Sequence, residues 1–566
     1  LSHASTVSLG TIHNFIARLS PLRANVLAFV CGVITLFAFA PFHFWLVLPV
    51  ALTLLIWMLD GARLKPSWRR GVFLRGWLFG AGFTLASMHW TAAPFLVEPE
   101  KHLIFIWMPL ILLPAGLGLF FGAATFAAGH LWSRNPGRIF VFVVCISITE
   151  YLRGVVFGGF PWNWAGTTWE PGSPISQIAA ISGVFGLTVL TFFLSAVPAA
   201  LADFRPGGQA FVRILPGFIC VVLFGLGWGW GTQRLNQLPA NEVIAARLVD
   251  IAVPMKEKYP AGGVNVRNEA ATKVLRAYLE AMGDDFPDEP RLVIWPEGAI
   301  PFRFSQNQRA LPIIIDPNAL DAISSRLGER TLITGTVRVD RYDNLQEETW
   351  YNSLAVLTKN SARRGALGIY DKRKLVPFGE LAPAEFIPFG HAISGILPSA
   401  MQQAATQGYT PGERLLPSGY LLELPSGEKI LPLICYEALF SDFVRKDAAG
   451  ADLLVNISID SWFGGQIGPK QHFVNAAYRS IETGLPLLRV ANQGVTAAVD
   501  PWGRIVPSTK INTVKDDWAV TVEDVTVNKT KLITTYSRIG QVFSFLFLAG
   551  FISIALIFFK RTDLTG

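Results

Sequence analysis

Cysteine and charged side chains are scarce in this chain. Only four of its 566 residues are Cys, and 16% are Asp, Glu, Lys or Arg, whereas soluble globular proteins contain about 25% charged residues. Cys31, Cys145 and Cys220 lie in apolar runs, where a thiol packs as a small hydrophobe. Cys435 is therefore solitary, which excludes a disulfide framework and a CxxC zinc motif. The low charge, combined with 51% hydrophobic residues, argues against a purely soluble protein.

Motifs for nucleotide and metal chemistry are also absent. The chain contains no G-x-x-x-x-G-K-[ST] phosphate loop, no H-E-x-x-H zinc motif and no G-x-S-x-G nucleophile turn. His472 has no second ligand at a metal-binding spacing, and we expect it to be a polar packing residue. We therefore expect no metal ion and no cofactor.

The excess of basic residues does not lie in the polar part of the chain, where it could bind nucleic acid. The chain has a net charge of +7, but residues 234–535, hereafter the polar block, contain 32 Lys and Arg against 34 Asp and Glu. The basic excess lies in the apolar flanks, as it does in the short cytoplasmic loops of membrane proteins. We expect no nucleic-acid partner.

Eight apolar stretches are long enough to cross a bilayer, for which a helix needs about 20 mostly apolar residues. The stretches lie near residues 24–41, 44–59, 76–97, 103–132, 139–158, 175–202, 214–233 and 539–559. They predict three regions. Seven transmembrane helices occupy residues 1–233, an extramembrane domain occupies residues 234–535, and an eighth helix with a short tail occupies residues 536–566.

Basic residues occur in alternate connections between these stretches. The residues are Arg18, Arg23, Arg63, Lys65, Arg69, Arg70, Arg134, Arg138, Arg205, Arg213, Lys560 and Arg561. Because cytoplasmic loops are enriched in Lys and Arg, both termini are expected to be cytoplasmic. The polar block follows the seventh stretch and is then expected to face the periplasm or the cell exterior.

Two charged residues, Glu150 and Arg153, lie inside the fifth stretch, one helical turn apart. Ionisable groups within a membrane require partners. Two interpretations remain open. The residues form an intrahelical ion pair that fixes the helix in its bundle, or they contact a phospholipid headgroup.

The polar block alternates short β-rich runs with helical segments. The predicted strands are 243–248, 291–295, 331–339, 352–358, 429–435, 453–457, 487–491 and 496–499, and the predicted helices are 266–282, 319–327, 441–449 and 471–483. Apolar strands interleaved with helices are typical of a layered α/β domain.

Three strand ends carry residues that are suited to acyl chemistry. Glu297 follows the strand 291–295, Cys435 ends the strand 429–435, and Lys372 lies in the segment 370–380, which reads YDKRKLVPFGE. Catalytic groups in α/β domains gather at the carboxyl ends of strands. Alone, a Cys that ends an apolar strand is more often a packing residue, and a Glu after Pro is more often a solvated turn residue. Together they supply a thiol nucleophile, a carboxylate base and an ammonium for a developing oxyanion.

These segments resemble the nitrilase superfamily and, most closely, its membrane-embedded branch, the apolipoprotein N-acyltransferases. The resemblance rests on Trp-Pro-Glu at 295–297, Tyr-x-Lys-x-x-Leu-Val-Pro-Phe-Gly-Glu at 370–380 and Ile-Cys-Tyr-Glu at 434–437. Further similarities are Asn-Ile-Ser at 456–458, Trp-Phe-Gly at 462–464, Gln-His-Phe at 471–473 and Asn-Gln-Gly at 492–494. The resemblance covers nearly the whole chain. It implies an αββα sandwich joined to an α-helical transmembrane bundle of eight spans.

By motif position, the resemblance also implies a role for each residue. Glu297 would be the general base, Lys372 the oxyanion stabiliser, Cys435 the nucleophile and Glu380 a further essential carboxylate. The implied substrate-binding residues are Tyr436, Glu437, Tyr259, Trp462 and Phe463, of which Tyr259 stands where the family has Trp.

Two basic residues and one apolar segment near these motifs are left outside the site. Arg373 and Lys374 adjoin the lysine and are expected to face solvent or lipid headgroups. Apolar residues between 378 and 397 form either a mobile arm that enters lipid or a core-packing loop.

The implied reaction moves a fatty acyl chain from a phospholipid, through a Cys435 thioester, to the α-amine of the diacylglyceryl-cysteine of an apolipoprotein. The enzyme would be a multi-pass monomer of the bacterial inner membrane with a periplasmic catalytic domain. Two rival functions remain open. One is a membrane-tethered amidase that uses water as the acceptor, and the other is a non-catalytic membrane receptor or transporter.

Overall fold

A computed structural model of the chain contains two compact units. The helical unit comprises Leu1–Gln237, Gly465–Val474 and Arg538–Gly566, and the α/β unit comprises Leu238–Gly464 and Asn475–Ser537. The described residues are 9–97, 99–133, 135–203, 210–258, 260, 263–283, 290–300, 303–305, 310–311, 319–341, 348–360, 366–377, 379–380, 408–413 and 420–563.

The principal helices and strands are numbered in chain order. The helices are α1 Leu9–Ala17, α2 Pro21–Ile34, α3 Val47–Arg63, α4 Trp68–Met88, α5 Leu113–His130, α6 Gly137–Val155, α7 Ala179–Ala196, α8 Ala210–Leu235, α9 Val264–Ala281, α10 Ala319–Leu327, α11 Ser441–Asp447, α12 Ile467–Thr483, α13 Thr535–Ile539 and α14 Val542–Asp563. The strands are β1 Val243–Ile251, β2 Leu292–Ile294, β3 Arg303–Ser305, β4 Ala310–Leu311, β5 Thr331–Arg341, β6 Glu348–Leu357, β7 Gly368–Asp371, β8 Leu422–Glu423, β9 Lys429–Ile434, β10 Leu453–Ile459, β11 Leu487–Asn492, β12 Ala497–Val499, β13 Ser508–Lys515 and β14 Trp518–Asn528.

Five helical segments among the described residues are long and apolar enough to cross a membrane. They are Pro21–Ala38, Leu103–His130, Gly137–Gly158, Ile175–Asp203 and Ile214–Leu235, and they overlap the first, fourth, fifth, sixth and seventh predicted stretches. The other three stretches overlap α3, α4 and α14. In α14 the apolar segment Val542–Phe558 is shorter, and α4 has two arginines in its first turn. The helices support a membrane-embedded unit, while the predicted count of eight spans is not established by them.

Small residues bring the helices of the helical unit close together. A methyl group on Gly32 of α2 would collide with the carbonyl of Phe79 on α4, and one on Gly76 of α4 would collide with Thr125 of α5. The Thr125 hydroxyl donates to the carbonyl oxygen of Val72 at 2.9 Å. Close contacts through Gly and Thr are typical of membrane helices, because lipid offers no hydrophobic driving force between them.

Glu150 and Arg153 form an enclosed ion pair within α6. Arg153 Nη2 lies 2.7 Å from Glu150 Oε2, and Arg153 Nε donates to Glu150 Oε1 at 2.9 Å. Arg153 Nη1 also donates to the carbonyl oxygens of Phe160 and Trp162 at 2.6 and 2.9 Å. The two charged side chains are 2% and 3% exposed. This enclosure supports the first of the two interpretations, since the pair fixes the helix and the loop that follows it.

Nine described strands form the first sheet of the α/β unit. The order is β13-β14-β1-β2-β5-β3-β4, and β6 pairs with both β5 and β7. β2 is parallel to β1 and β5, whereas β6 is antiparallel to β5 and β7. β2 and β7 therefore run in the same direction and end at the same edge of the sheet.

The second sheet contains five described strands in the order β12-β11-β10-β9-β8. β9, β10 and β11 are parallel, so the residues that follow these strands share one edge of the sheet. β10 is buried along its whole length, which requires that both faces of the sheet be covered.

The two sheets pack face to face through one apolar core. Side chains of both sheets contribute to it, among them Ala246, Leu248, Ile294, Leu354, Ile430, Val455, Ile457 and Leu488. A separate core lies against the opposite face of the first sheet, where Val249 and Val293 meet Val274 of α9 and Ile323 of α10. Alternate strand residues thus fill two different cores. This layering agrees with the α/β class predicted from the sequence.

Candidate active site

The position of Glu297 depends on a close approach of the chain to β5. The Trp295 N–H donates to the Ile333 carbonyl at 2.9 Å, and the Gly335 N–H donates to the Pro296 carbonyl at 3.2 Å. A Cβ atom on Gly335 would lie only 2.5 Å from Glu297 Cα. Glycine at position 335 therefore allows the segment after β2 to lie directly on β5, with the Glu297 side chain 7% exposed.

Both sheets hold the carboxylate of Glu297. Its Oε1 atom accepts a hydrogen bond from Asn352 Nδ2 on β6 at 2.6 Å. Its Oε2 atom accepts from the Ile459 N–H at the end of β10 at 2.9 Å. Lys372 Nζ lies 3.7 Å from Oε1. The carboxylate therefore has a fixed orientation and a cation beside it.

Lys372 follows β7 and is paired with Glu380. Its Nζ atom lies 2.7 Å from Glu380 Oε2 and 2.9 Å from Oε1, and Asn352 Nδ2 donates to the same Oε1 at 2.7 Å. Burial acts to lower the pKa of Lys372, but the nearby carboxylates of Glu380 and Glu297 outweigh it and raise the pKa above its ordinary value. Lys372 is therefore an ammonium near neutral pH, which suits a stabiliser of negative charge.

Cys435 follows β9 in a strained backbone conformation. Its φ angle is 50°, in the left-handed region that residues other than glycine rarely adopt, and such strain clusters at functional sites. Burial, followed by the negative charge of Glu297, raises the pKa of Cys435 to about 12, and Lys372 partly offsets the increase. The thiol is therefore protonated near neutral pH. The same interactions mean that Glu297 and Lys372 lie within electrostatic range of the sulfur.

Glu437 joins the segment of Lys372 to the segment of Cys435. Its Oε1 atom accepts from the Tyr370 hydroxyl at 2.8 Å and from the Arg373 N–H at 2.7 Å. Its Oε2 atom accepts from the Ile434 N–H at 2.8 Å. Glu437 is completely buried. It therefore fixes the backbone next to both residues. The neighbouring Tyr436 is also buried, with its ring edge-on to Phe440 at 5.1 Å.

The other sequence-predicted substrate residues are less closely connected with this cluster. Trp462 and Phe463 lie in the short helix Asp460–Phe463, directly after Ile459, and the Trp462 side chain is 41% exposed. Tyr259 lies outside the described residues. So do Phe378 and residues 381–397, which belong to the apolar segment predicted to be a mobile arm or a core-packing loop. The structure thus brings together Glu297, Lys372 and Glu380, with the Cys435 segment connected to them through Glu437.

Sequence reasoning missed Asn352, which donates one N–H to Glu297 and another to Glu380. The signal was a single Asn within the β-rich run Thr-Trp-Tyr-Asn-Ser at 349–353, since a polar residue inside a buried strand needs partners. Asp460 and Arg489 were also missed. They form a fully buried ion pair with Arg489 Nη2 2.7 Å from Asp460 Oδ2, which holds the turn after β10.

Lys258 is a second cation within electrostatic range of Glu297. Burial lowers the pKa of Lys258 to about 8, while the carboxylates of Glu297 and Asp250 act in the opposite direction. Burial raises the pKa of Asp250 to about 7, and Asn492 Nδ2 donates to Asp250 Oδ1 at 3.4 Å. Both groups can therefore change charge near neutral pH.

No group of three or more His, Cys, Asp or Glu side chains is placed to hold a metal ion within the part of the chain that the structure describes. His472, in the helical unit, is completely buried and stacks on Trp162 with 5.6 Å between ring centroids. That environment is the packing role predicted for it from the sequence.

Two family profiles match the chain. The profile described as apolipoprotein N-acyltransferase N-terminal domain matches residues 31–197, and the one described as carbon-nitrogen hydrolase matches residues 266–531. The apolipoprotein N-acyltransferase of Rhizobium rhizogenes is 35% identical over 505 residues, which cover 87% of this chain and 88% of that protein. The proteins of the same name from Allorhizobium ampelinum and Brucella melitensis are 34% and 31% identical, with the same coverage of both chains. The similarity therefore extends over nearly the whole of these relatives.

Proposed function

Because the chain belongs to the apolipoprotein N-acyltransferase family, we propose that it transfers a fatty acyl chain from a membrane phospholipid to the α-amine of the diacylglyceryl-cysteine of an apolipoprotein. One observation carries the proposal. The Glu297 carboxylate, the Lys372 ammonium and the Cys435 thiol each follow a strand and interact electrostatically. The backbone of Cys435 is strained. Their charge states suit acyl transfer, since the thiol is protonated and needs a base, while the lysine remains cationic.

In the first half-reaction, Glu297 accepts the thiol proton as the sulfur of Cys435 attacks the ester carbonyl carbon of the phospholipid. Lys372 stabilises the negative charge that develops on the carbonyl oxygen. The carbon–oxygen ester bond then breaks, and Glu297 returns the proton to the departing oxygen. A lysophospholipid leaves, and the acyl chain remains on Cys435 as a thioester.

In the second half-reaction, the uncharged α-amine of the apolipoprotein attacks the thioester carbonyl. The carbon–sulfur bond breaks, and Glu297 passes a proton of the amine to the sulfur. An amide replaces the original ester, so the reaction requires no ATP. Glu380 supports both steps by holding the Lys372 ammonium at 2.7 Å. We assign contacts with the two substrates to Tyr436, Tyr259, Trp462 and Phe463. Glu437 is completely buried and bound by protein groups on both oxygens, so it shapes the site and does not contact substrate.

The membrane context follows from the substrates. Removing an acyl chain from lipid costs about 0.8 kcal/mol per buried CH₂, so a membrane-embedded enzyme avoids a large penalty for both partners. We propose that all eight apolar stretches cross the bacterial inner membrane, because α3, α4 and α14 overlap the three stretches beyond the five long apolar segments. The basic connections then favour a periplasmic catalytic domain.

The test of this function uses the purified full-length chain in detergent micelles that contain phosphatidylethanolamine. A synthetic lipopeptide with an N-terminal diacylglyceryl-cysteine is the acceptor, and Cys435→Ala is the matched inactive control. We expect the lipopeptide to gain one acyl chain in amide linkage, with one lysophospholipid released per product. Mass spectrometry measures both products.

The rival functions give different outcomes in the same assay. An amidase would release free fatty acid whether or not the lipopeptide is present, because water would discharge the thioester. A non-catalytic receptor would form neither product. Either result would refute the proposed transfer to an amine.

A further inference from the structure

Arg373, the residue after Lys372, is enclosed by aromatic rings and paired with an acid. Its guanidinium carbon lies 3.3 Å from the ring centroid of Tyr420 and 4.2 Å from that of Phe443. Its Nη2 atom forms an ion pair with Asp447 on α11, and its side chain is 13% exposed. The expectation that Arg373 faces solvent or lipid headgroups is therefore wrong. The rings and the acid that enclose it come from segments 47 to 74 residues further along the chain, which the local sequence did not reveal.

Three hydrogen bonds connect Arg373, Tyr370 and Glu437 with one another. The Arg373 N–H donates to Glu437 Oε1 at 2.7 Å, and Arg373 Nε donates to the Tyr370 hydroxyl oxygen at 3.3 Å. The Tyr370 hydroxyl in turn donates to the same Glu437 oxygen at 2.8 Å. The three residues form a closed triangle. The side between Tyr370 and Arg373 spans the stretch of backbone that carries Lys372.

The second oxygen of Glu437 extends this triangle to the nucleophile. Oε2 accepts the N–H of Ile434, the residue immediately before Cys435, at 2.8 Å. A series of contacts therefore runs from Asp447 through Arg373 and Tyr370 to the backbone that holds the thiol. Arg presents donors in a rigid planar fork, so its guanidinium can pair with Asp447 and with Tyr370 at the same time.

We propose that Arg373 is a positioning residue for acyl transfer. Its guanidinium anchors the Tyr370 hydroxyl, which in turn holds Glu437, and so sets the distance between the Lys372 ammonium and the Cys435 sulfur. The inference rests on the proposed function, because it concerns the same reaction. Arg373 acts through its neighbours and touches neither reacting group. Misplacing catalytic groups by about 1 Å can slow a reaction about 100-fold, so the cost of losing the anchor should appear in the rate rather than in substrate affinity.

Lys374 provides a matched control one residue away. Its ammonium lies 5.2 Å from the ring of Phe440. Its N–H donates to Glu437 Oε1 at 3.3 Å, a backbone contact that an alanine substitution preserves. Replacing Lys374 by Ala removes a positive charge and a long side chain from the same segment, but it leaves the triangle of Tyr370, Arg373 and Glu437 in place.

The experiment measures acylation of Cys435 in the full-length chain by phosphatidylethanolamine, as a function of donor concentration. Rates are normalised to the folded fraction. Arg373→Ala keeps the backbone bond to Glu437 but removes the guanidinium contacts with Tyr370 and Asp447. It should lower kcat for acylation about 100-fold with KM within about twofold of the parent value. Arg373→Lys keeps the charge but loses the fork and should recover about tenfold of that loss. Asp447→Asn should fall between these two, and Lys374→Ala should stay within about twofold of the parent.

Other outcomes would overturn the inference. Equal rates for Arg373→Ala and Lys374→Ala would show that the anchor is not needed. A raised KM with unchanged kcat would indicate a substrate contact instead. A parent-like rate for Arg373→Lys would show that the planar guanidinium fork is not required. If the parent chain forms no thioester, the proposed function fails together with this inference. If the parent chain acylates normally while Arg373→Ala matches it, only this inference fails.

Discussion

Asn352→Ala removes two hydrogen bonds that orient the carboxylates of Glu297 and Glu380. The Nδ2 group donates to Glu297 at 2.6 Å and to Glu380 at 2.7 Å. Glu297 would keep the Ile459 N–H on its other oxygen, and Glu380 would keep Lys372. The Glu297 carboxylate, the proposed base, would therefore remain near the thiol, but it would lose the contact that fixes its orientation.

The expected magnitude follows from the bonds that are lost. A hydrogen bond to a charged group contributes about 1.5–3 kcal/mol. If this bond to Glu297 stabilises the transition state, its loss should slow acylation of Cys435 about 10- to 150-fold. Folding should be less affected, because the Asn352 backbone still accepts the Lys372 N–H at 2.8 Å within the sheet.

Asn352→Asp should be more severe than Asn352→Ala. The new carboxylate would face Glu297 and Glu380 across distances now spanned by hydrogen bonds of 2.6 and 2.7 Å. Two like charges at that separation repel by about 6 kcal/mol at an effective dielectric constant of about 20. One of the three carboxyl groups should therefore take up a proton at neutral pH, which weakens the base and the ion pair with Lys372.

The assay is a single-turnover measurement of Cys435 acylation by intact mass, with thermal unfolding recorded in parallel. Asn512→Ala on the exposed strand β13 is the control, since its side-chain oxygen only accepts a bond from Thr521 at 3.1 Å. The predicted order of rates is parent and Asn512→Ala, then Asn352→Ala, then Asn352→Asp. An Asn352→Ala rate equal to that of the control, or an Asn352→Asp rate above that of Asn352→Ala, would refute the reasoning.

Four further predictions concern the same site. Cys435→Ser should lose turnover, because a hydroxyl is a weaker nucleophile than a thiol, and full activity would count against a thioester. Glu297→Gln cannot accept a proton and should slow thioester formation by about 10²–10⁴-fold; normal mass labelling of Cys435 in that variant would remove Glu297 from the base role. Gly335→Ala should push Glu297 out of place and destabilise the fold by about 1–3 kcal/mol, which acylation and thermal unfolding would record, and normal values of both would contradict the close approach. Alkylation of Cys435 by iodoacetamide should accelerate with pH up to the highest values tested, because its pKa of about 12 keeps the thiolate fraction small, whereas a plateau below pH 8 would contradict the buried thiol.

The order of strands and helices in the α/β unit was largely readable from hydrophobic periodicity. Each predicted strand overlaps an observed one, and the helix predicted at 319–327 coincides with Ala319–Leu327. The short strands β3, β4, β7 and β8 were missed, as were the longer strands β13 and β14. β13 has an almost fully exposed side-chain pattern, so no apolar face marked it. It is held by antiparallel pairing with β14, which itself pairs with β1 over nine residues.

The residues at strand ends were predictable, whereas the contacts that position them were not. Glu297 and Cys435 follow apolar runs that ended close to the predicted positions. The partnership of Asn352 with Glu297 joins residues that are 55 positions apart, and it depends on the register between β5 and β6. No local pattern specifies that register. The enclosure of Arg373 has the same origin, since Tyr420 and Phe443 reach it from distant segments.

The most direct test of the central claim is mass spectrometry of the Cys435 peptide after incubation with phospholipid. The account predicts a fatty acyl adduct on Cys435 that hydroxylamine removes and that a diacylated lipopeptide discharges into an amide product. An adduct that persists in Cys435→Ala, or an adduct that water discharges as fast as the lipopeptide does, would contradict the account.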